Sequence, residues 1–147
     1  MGVALLEGGK LVHCGVKRIP RGRTHGETLK EGRKAVTGLI EAFRPKVMVI
    51  EKTFFSNNRT AAILNVFADE IKAIGKRKGL KVIGFAPSSV KKFICGNGRA
   101  SKMEVATVIV SRYPELRVFL TQDRKWKAEY HLNMFDAIAL GIMAEGR

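Results

Sequence analysis

Two carboxylates, Glu51 and Asp136, are candidates for a functional site in this sequence. Glu51 ends the apolar run Val47–Ile50, which predicts a short strand buried on both faces, as in the middle of a parallel sheet. Ligands and catalytic groups collect at the carboxyl ends of such strands, so Glu51 is a candidate site residue; a solvated strand-end glutamate is the alternative. Asp136 lies inside the apolar segment 131–144, where a carboxylate costs free energy unless it is paired or binds a cation.

One reaction class needs carboxylates of this kind. In two-metal hydrolysis of phosphodiester bonds, clustered carboxylates hold Mg²⁺ or Mn²⁺ ions that activate water and stabilise the leaving oxygen. For Asp136 the competing interpretation is a helix-face carboxylate that pairs with a basic neighbour. Two acidic residues alone leave both interpretations open.

The charge balance indicates the kind of partner. The 147 residues include 27 Lys and Arg against 13 Asp and Glu, a formal net charge of +14. Such an excess favours a polyanionic partner, and nucleic acid is the commonest one. An anionic membrane surface would call for a basic amphipathic helix with exposed aromatic residues, whereas the basic residues here are spread over many segments.

Several protein classes are disfavoured by the sequence. No apolar run approaches the roughly 20 residues that cross a bilayer, and the first residues do not form a signal peptide because Glu7 and glycines interrupt them. Cys14 and Cys95 are far apart and have no zinc-type spacing. We therefore expect a soluble, cytoplasmic protein with two reduced thiols and no membrane partner.

The elements that must position the carboxylates alternate along the chain. Residues 1–19 predict a hairpin that turns at Gly8-Gly9. Apolar spacing then predicts a helix after Thr24, the strand that ends at Glu51, a second helix and a strand over 80–86, an order that favours a parallel sheet. Beyond these we expect a helix over about 100–112 with Val105, Val108 and Ile109 inward, an irregular excursion over 115–130, and a last helix over 131–144.

Three motifs follow one another along the chain: VIEKTFFSNN (49–58), APSSVKKFICGNGRASK (86–102) and NMFDAIALGI (133–142). In this order they resemble the RuvC family of Holliday-junction resolvases. The resemblance implies a single α/β domain over residues 1–147 with a ribonuclease H-like fold, in which a mixed sheet combines an antiparallel hairpin with parallel strands flanked by helices. It also implies a homodimeric endonuclease that uses Mg²⁺, with Mn²⁺ as an alternative, to cut four-way DNA junctions in recombination and repair.

The same resemblance implies a metal site. Carried over by position, Glu51 and Asp136 are metal-binding carboxylates, and Asn133 stands where the family often has an Asp or a His. An amide can offer an oxygen to a cation but supplies no charge and is no base. His131 could serve as a third ligand or general base; a solvated histidine is the alternative.

The DNA-contacting residues follow in the same way. Phe54 resembles the aromatic residue that the family uses against bases at the junction centre, where stacking tolerates any sequence. Lys91 and Lys102 match basic positions near the scissile phosphate, where a cation stabilises developing negative charge. Lys92 and Arg99 are further candidates for phosphate contacts, and for each of these residues a merely solvated side chain is the alternative.

The sequence departs from the family at its start. The family begins with a central strand ending in Asp-x-Gly, and that aspartate is its first metal ligand, whereas the resemblance here begins at Gly2. We therefore expect an N-terminally incomplete chain whose first central strand lies upstream of Met1. Besides the active resolvase, two other hypotheses remain: a catalytically impaired protein that binds DNA junctions without cleavage, and a ribonuclease or other nuclease of the same fold.

Overall fold

A computed structural model describes residues 1–18, 24–52, 59–121 and 125–146, without the side chains of 59–64 and 125–130. In chain order the elements are β1 (Gly2–Glu7), β2 (Lys10–Val16), α1 (His25–Phe43), β3 (Val47–Glu51), α2 (Arg59–Arg77), β4 (Lys81–Phe85), α3 (Pro87–Cys95), α4 (Lys102–Arg112), a 3₁₀ helix (Pro114–Phe119) and α5 (Lys125–Glu145).

These elements form two compact units. The hairpin unit comprises Met1–Lys17 and Phe85–Arg147, and the parallel-strand unit comprises Arg18–Gly84. The predicted α/β architecture is confirmed, because an antiparallel pair and a parallel pair of strands are flanked by helices. The described strands form two sheets of two strands each rather than one mixed sheet, β1 with β2 and β3 with β4. The single-domain organisation stays a prediction.

The hairpin turns where the sequence predicted. Gly8 and Gly9 adopt positive φ angles of 56° and 79°, which glycine reaches without steric cost. Both backbone polar groups of Gly9 are used: its N–H donates to Glu145 Oε2 at 3.0 Å, and its carbonyl accepts from the Tyr113 hydroxyl at 2.8 Å. These bonds fasten the turn to the end of α5 and to the residue that follows α4.

The core of the hairpin unit lies between α4 and α5. Ile109 on α4 and Met134, Phe135 and Ile138 on α5 are its largest fully buried side chains. Burying each side chain of this size contributes about 1.5–3 kcal/mol relative to an exposed one. The strand β1 lies along α5, where Gly141 receives the side chain of Leu6.

In the parallel-strand unit, α1 and α2 pack on each other. Thr24 caps α1 by accepting a hydrogen bond from the N–H of Glu27, and Val36 and Ile40 are buried. The two helices approach at Gly32, where a Cβ would overlap the ring of Phe67. Strand β3 runs from Val47 to Glu51, so Glu51 ends it as predicted.

Three predictions about the last third of the chain were wrong. The described part of residues 115–130 is not an irregular excursion, because a 3₁₀ helix spans Pro114–Phe119 with Leu116 buried, and α5 begins at Lys125 instead of 131. The first turns of α5 were not predicted, because they are rich in charged residues and show no apolar period. Lysine, alanine and glutamate are nevertheless good helix formers. On α4, Val108 is exposed, and Ala106 and Val110 are buried beside Val105 and Ile109.

No helix in the part of the chain that the structure describes is long and apolar enough to cross a membrane.

Candidate active site

An ammonium and a carboxylate meet between two helices of the hairpin unit. Lys102 Nζ lies 3.1 Å from Asp136 Oδ2, with side chains 54% and 36% exposed. The family resemblance implies a role at the site for each residue, and the structure brings the two together. This contact is also what the competing interpretation of Asp136, a helix-face carboxylate that pairs with a basic neighbour, predicts. A pair this exposed is worth about 1 kcal/mol at most, so its interest lies in its chemistry rather than in stability.

The start of α4 positions Lys102. Ser101 is the N-cap: its hydroxyl accepts from the N–H of Glu104 at 3.1 Å, and the Glu104 carboxylate accepts from the N–H of Ser101 at 3.3 Å. This reciprocal capping box fixes the first turn and places Lys102 at its first residue. Val105 and Ala106, both buried, then hold α4 against the core.

The packing of α5 positions Asp136. Its neighbours Met134 and Phe135 are fully buried, so the helix cannot rotate about its axis without exposing them. At the site end of α5, β1 comes so close that a Cβ on Gly2 would overlap the carbonyl of Asn133 and lie 2.9 Å from Met134 N. Because backbone atoms cannot move aside as a side chain can, only glycine fits at this position without shifting the strand or the helix.

Asn133 presents a second oxygen one turn before Asp136. It is exposed, and positions three apart on a helix share a face. A carboxylate and an amide oxygen suit a hard divalent cation, which keeps several waters and needs only one or two carboxylates from the protein. Across the described residues there is no group of three or more His, Cys, Asp or Glu side chains that could hold a metal. The Asn133–Asp136 turn therefore fits such an ion as a partial, oxygen-only site.

His131 lies inside α5 rather than at its start. Its ring centroid is 4.7 Å from that of Phe119, with the planes tilted by 48°. This contact joins α5 to the 3₁₀ helix, which the sequence did not predict. A role for His131 as a ligand or base stays a prediction.

Glu51 belongs to the parallel-strand unit. It is the exposed last residue of β3, and the stem of the next residue, Lys52, lies over Gly84 of β4, with Cγ 3.0 Å from where a Cβ would stand. The predicted strand-end position is therefore observed, whereas its role as a metal ligand stays a prediction. Phe54 lies outside the described residues.

The remaining basic candidates lie on α3 and the loop after it. Lys91 is half-buried, and Lys92 and Arg99 are exposed. All three belong to the hairpin unit, in which α3 packs against both α4 and α5. The loop is held by an Asn97 side chain whose Oδ1 accepts from the N–H of Arg99 at 3.0 Å.

The structure also shows residues that the sequence interpretation missed. The pattern Ser101-x-x-Glu104 is a readable signature of a capping box, so the anchoring of Lys102 could have been predicted. Gly2 and Phe119 carry no comparable signal, because their importance comes from contacts with α5 far along the chain. An open cleft of about 400 Å³ at the other end of α5 contains none of the predicted site residues; it is lined by Gly8, Gly9, Phe93, Arg112, Ile142, Glu145 and Gly146.

The chain is similar in sequence to known proteins. The chain is 31% identical over 101 residues to the crossover junction endodeoxyribonuclease RuvC of Synechococcus sp. (strain WH7803), covering 68% of this chain and 65% of the relative. It is 34% identical over 114 residues to that of Cutibacterium acnes, covering 74% and 58%. In both cases the chain covers less than two thirds of the relative's length.

Solved structures share the fold. Thermus thermophilus RuvC superposes with a TM-score of 0.67 at 21% identity, covering 97% of this chain and 88% of the other. The same protein in complex with a Holliday junction substrate gives a TM-score of 0.68 at 21% identity, covering 98% and 87%. This likeness supports the predicted ribonuclease H-like fold.

A sequence model of one family, crossover junction endodeoxyribonuclease RuvC, matches residues 4–143. The match takes in most of β1, the Lys102 and Asp136 pair and most of α5. The chain therefore belongs to the RuvC family of crossover junction endodeoxyribonucleases.

Proposed function

We propose that this chain acts as a metal-dependent endonuclease that cuts phosphodiester bonds in four-way DNA junctions during recombination and repair. The observation that carries the proposal is the 3.1 Å approach of Lys102 Nζ to Asp136 Oδ2, with Asn133 one turn before Asp136 on α5. A carboxylate for a metal and an ammonium for a phosphate at one point match what phosphodiester cleavage requires. Family membership supplies the reaction class.

Asp136 and Asn133 would hold the metal ion, together with Glu51 as the family resemblance implies. When bound, Mg²⁺ or Mn²⁺ would polarise the phosphate and lower the pKa of an attacking water. Lys102, held at the start of α4 by the capping box, would contact the same phosphate, where its charge would stabilise the developing negative charge. We propose Mg²⁺ as the metal, with Mn²⁺ as the alternative.

Branched DNA is the proposed substrate. The formal charge of +14 favours binding to phosphates, and the relative solved in complex bound a Holliday junction substrate. Lys91, Lys92 and Arg99 would contact the backbone, and Phe54 would stack on bases near the crossover. As in the family resemblance, two copies would act together as a homodimer, which sedimentation equilibrium would test.

Cleavage of a labelled four-way junction tests the proposal. The protein is incubated with Mg²⁺ or Mn²⁺ and the junction, a linear duplex of the same arm sequence, and an RNA-containing duplex. We expect cuts in the junction that both Glu51→Gln and Asp136→Asn abolish. The matched control is Asp69→Asn, which removes one carboxylate from an aspartate whose side chain is 77% exposed.

The alternative functions predict different results. Tight junction binding with no cut under either metal would indicate a junction-binding protein that does not cleave. Cutting of RNA-containing duplex in preference to the junction would indicate a different nuclease of the same fold. Cleavage that survives Asp136→Asn would contradict the site assignment.

A further inference from the structure

The Asp136 carboxylate already carries a cation. Among the described residues, Lys102 is the one basic group within 4.0 Å of it, with Nζ at 3.1 Å from Oδ2. An oxygen that accepts a hydrogen bond from an ammonium at this distance offers its lone pairs to that ammonium instead of to a metal. If Asp136 is a metal ligand, as the proposed function holds, lysine and metal seek the same oxygen.

The lysine is held loosely enough to exchange. With side chains 54% and 36% exposed, an ion pair of this kind changes an equilibrium constant by up to about fivefold. Lys102 is also the first residue of α4, and the positive end of the helix dipole disfavours a cation there. Its four-carbon stem lets the ammonium swing away without moving the backbone.

The second oxygen of the site adds no charge. Asn133 is neutral, so the single negative charge of Asp136 is cancelled by Lys102 while the pair is closed. A divalent ion that approaches the closed pair meets two side chains whose charges cancel each other. Metal affinity is therefore set by how readily the lysine leaves, as well as by the oxygens themselves.

We infer that Lys102 is the resident counter-cation of Asp136, which a divalent metal must displace, so that Lys102 lowers metal affinity and its ammonium is released toward the substrate phosphate when the metal binds. This inference deepens the proposed function, since it takes Asp136 as a metal ligand and Lys102 as a phosphate contact. It gives one side chain two successive partners, a carboxylate first and a phosphate afterwards.

Metal binding in the absence of DNA tests the inference. Mn²⁺ is titrated into the folded protein, and free Mn²⁺ is followed by electron paramagnetic resonance. Lys102→Met keeps the length of the side chain and removes its charge, and we expect it to tighten Mn²⁺ binding by about three- to fivefold. Lys102→Arg, which keeps the charge, should leave the affinity near that of the wild type.

Two controls separate this effect from general changes. Lys10→Met removes one positive charge from an exposed residue at the hairpin turn of the same unit and should leave Mn²⁺ binding unchanged. Asp136→Asn should weaken binding by at least about tenfold. Circular dichroism checks that each variant is folded. We expect Lys102→Met to fold, because Lys102 is an exposed residue at the start of a capped helix.

Several outcomes would overturn the inference. It fails if Lys102→Met binds Mn²⁺ no more tightly than the wild type, if neither protein binds Mn²⁺ detectably, if Lys10→Met gives the same gain, or if Asp136→Asn has no effect. Junction cleavage is read separately and should fall in Lys102→Met although its metal binding rises. A wild type that cuts no junction, with the difference in metal affinity intact, would refute the nuclease proposal and leave the inference standing.

Discussion

Asp136 and Glu70 are both carboxylates that pair across two helices, and their surroundings differ. In the parallel-strand unit, Glu70 on α2 lies 3.5 Å from Arg33 on α1 and 3.6 Å from Arg77 on its own helix. In the hairpin unit, Asp136 on α5 has a single lysine at 3.1 Å and the neutral Asn133 one turn away. Glu70 is the less exposed of the two, with 27% of its side chain accessible against 36%.

The difference indicates two uses of the same chemical group. Two arginines lie beside one oxygen of Glu70, Oε1, so that carboxylate faces two permanently charged groups. Asp136 faces one lysine on a flexible stem, which can leave it to another cation. A carboxylate with a single exchangeable partner is therefore a better candidate for function than one that faces two arginines.

The largest expected effect comes from neutralising each carboxylate in turn. Asp136→Asn should lower metal-dependent junction cleavage by about a hundredfold or more, because a metal contributes several kcal/mol of transition-state stabilisation. Glu70→Gln should leave the cleavage rate unchanged. Single-turnover rates on a labelled junction measure both, and equal losses in the two variants would remove the distinction between them.

Substitutions of glycine test how closely β1 packs against α5, the helix that carries Asp136. Gly2→Ala would drive a methyl group into the backbone of Asn133, and overpacking of this kind costs about 1–3 kcal/mol of unfolding free energy. Gly141→Ala should also destabilise the protein, through Leu6, at a point two turns from the site. Urea unfolding gives the stabilities, and Mn²⁺ titration shows whether Gly2→Ala alone weakens metal binding.

The control for this pair is Gly15→Ala. Gly15 lies on β2 with no other atom within 4 Å of where its Cβ would stand, so a methyl group there should not lower stability. A loss in Gly15→Ala as large as that in Gly2→Ala would show that the hairpin tolerates no added methyl group. The contact between Gly2 and Asn133 would then matter no more for stability than other positions of the hairpin.

A smaller effect is expected for the Glu70 cluster itself. Glu70→Gln removes the charge that joins α1 to α2, and the loss of unfolding free energy should be about 1 kcal/mol at most, since such pairs are partly screened by solvent. Raising the salt concentration should shrink the difference from the wild type. A loss of several kcal/mol would mean that Glu70 is a structural centre of its unit.

The smallest expected effect is a loss of stability at high pH, which comes from two cysteines of the hairpin unit. Burial, followed by the charge of Glu115, raises the pKa of Cys14 above its usual value of 9.0. Burial and then Glu104 raise the pKa of Cys95 in the same direction. Because the folded state holds these protons more tightly than the unfolded state does, the stabilisation is present below pH 9 and is lost as the pH rises through the folded pKa values.

Both cysteines lie in the hairpin unit, so this loss should be confined to it. The melting temperature of the wild type should fall more between pH 8 and pH 10 than that of a Cys14→Ala, Cys95→Ala variant. Lysine and tyrosine titrations are common to both proteins and cancel in the comparison. Parallel pH curves would contradict the predicted effect.

Much of the fold could be predicted from local sequence patterns. The paired glycines fixed the hairpin turn, and the apolar run before Glu51 fixed the strand and the residue that ends it, because both depend on neighbouring residues alone. The start of α5 was missed, since its first turns are charged and show no apolar period. Val108 was placed inward in error because several apolar residues on α4 fit a helical stripe and only packing selects among them.

The sequence could name candidate residues but not the contacts between them. The family resemblance implied roles for Lys102 and Asp136, yet nothing in their spacing of 34 positions says that they touch. The same limit explains why the contact of Gly2 with α5 was not predicted: it depends on a helix at the other end of the chain. The roles of all the candidate residues in catalysis, metal binding or DNA binding stay predictions, those of Glu51, Phe54 and His131 included.

The hairpin turn has a practical consequence for anyone who modifies this protein. Surface turns of small residues are ordinarily the safest places for a tag, a label or a circularly permuted terminus. Here the N–H of Gly9 binds Glu145 and its carbonyl binds Tyr113, so an insertion between Gly8 and Gly9 would detach the strand from both partners. Because the other end of the same strand abuts Asn133, a fluorophore placed at this turn would disturb α5, the helix that carries Asn133 and Asp136.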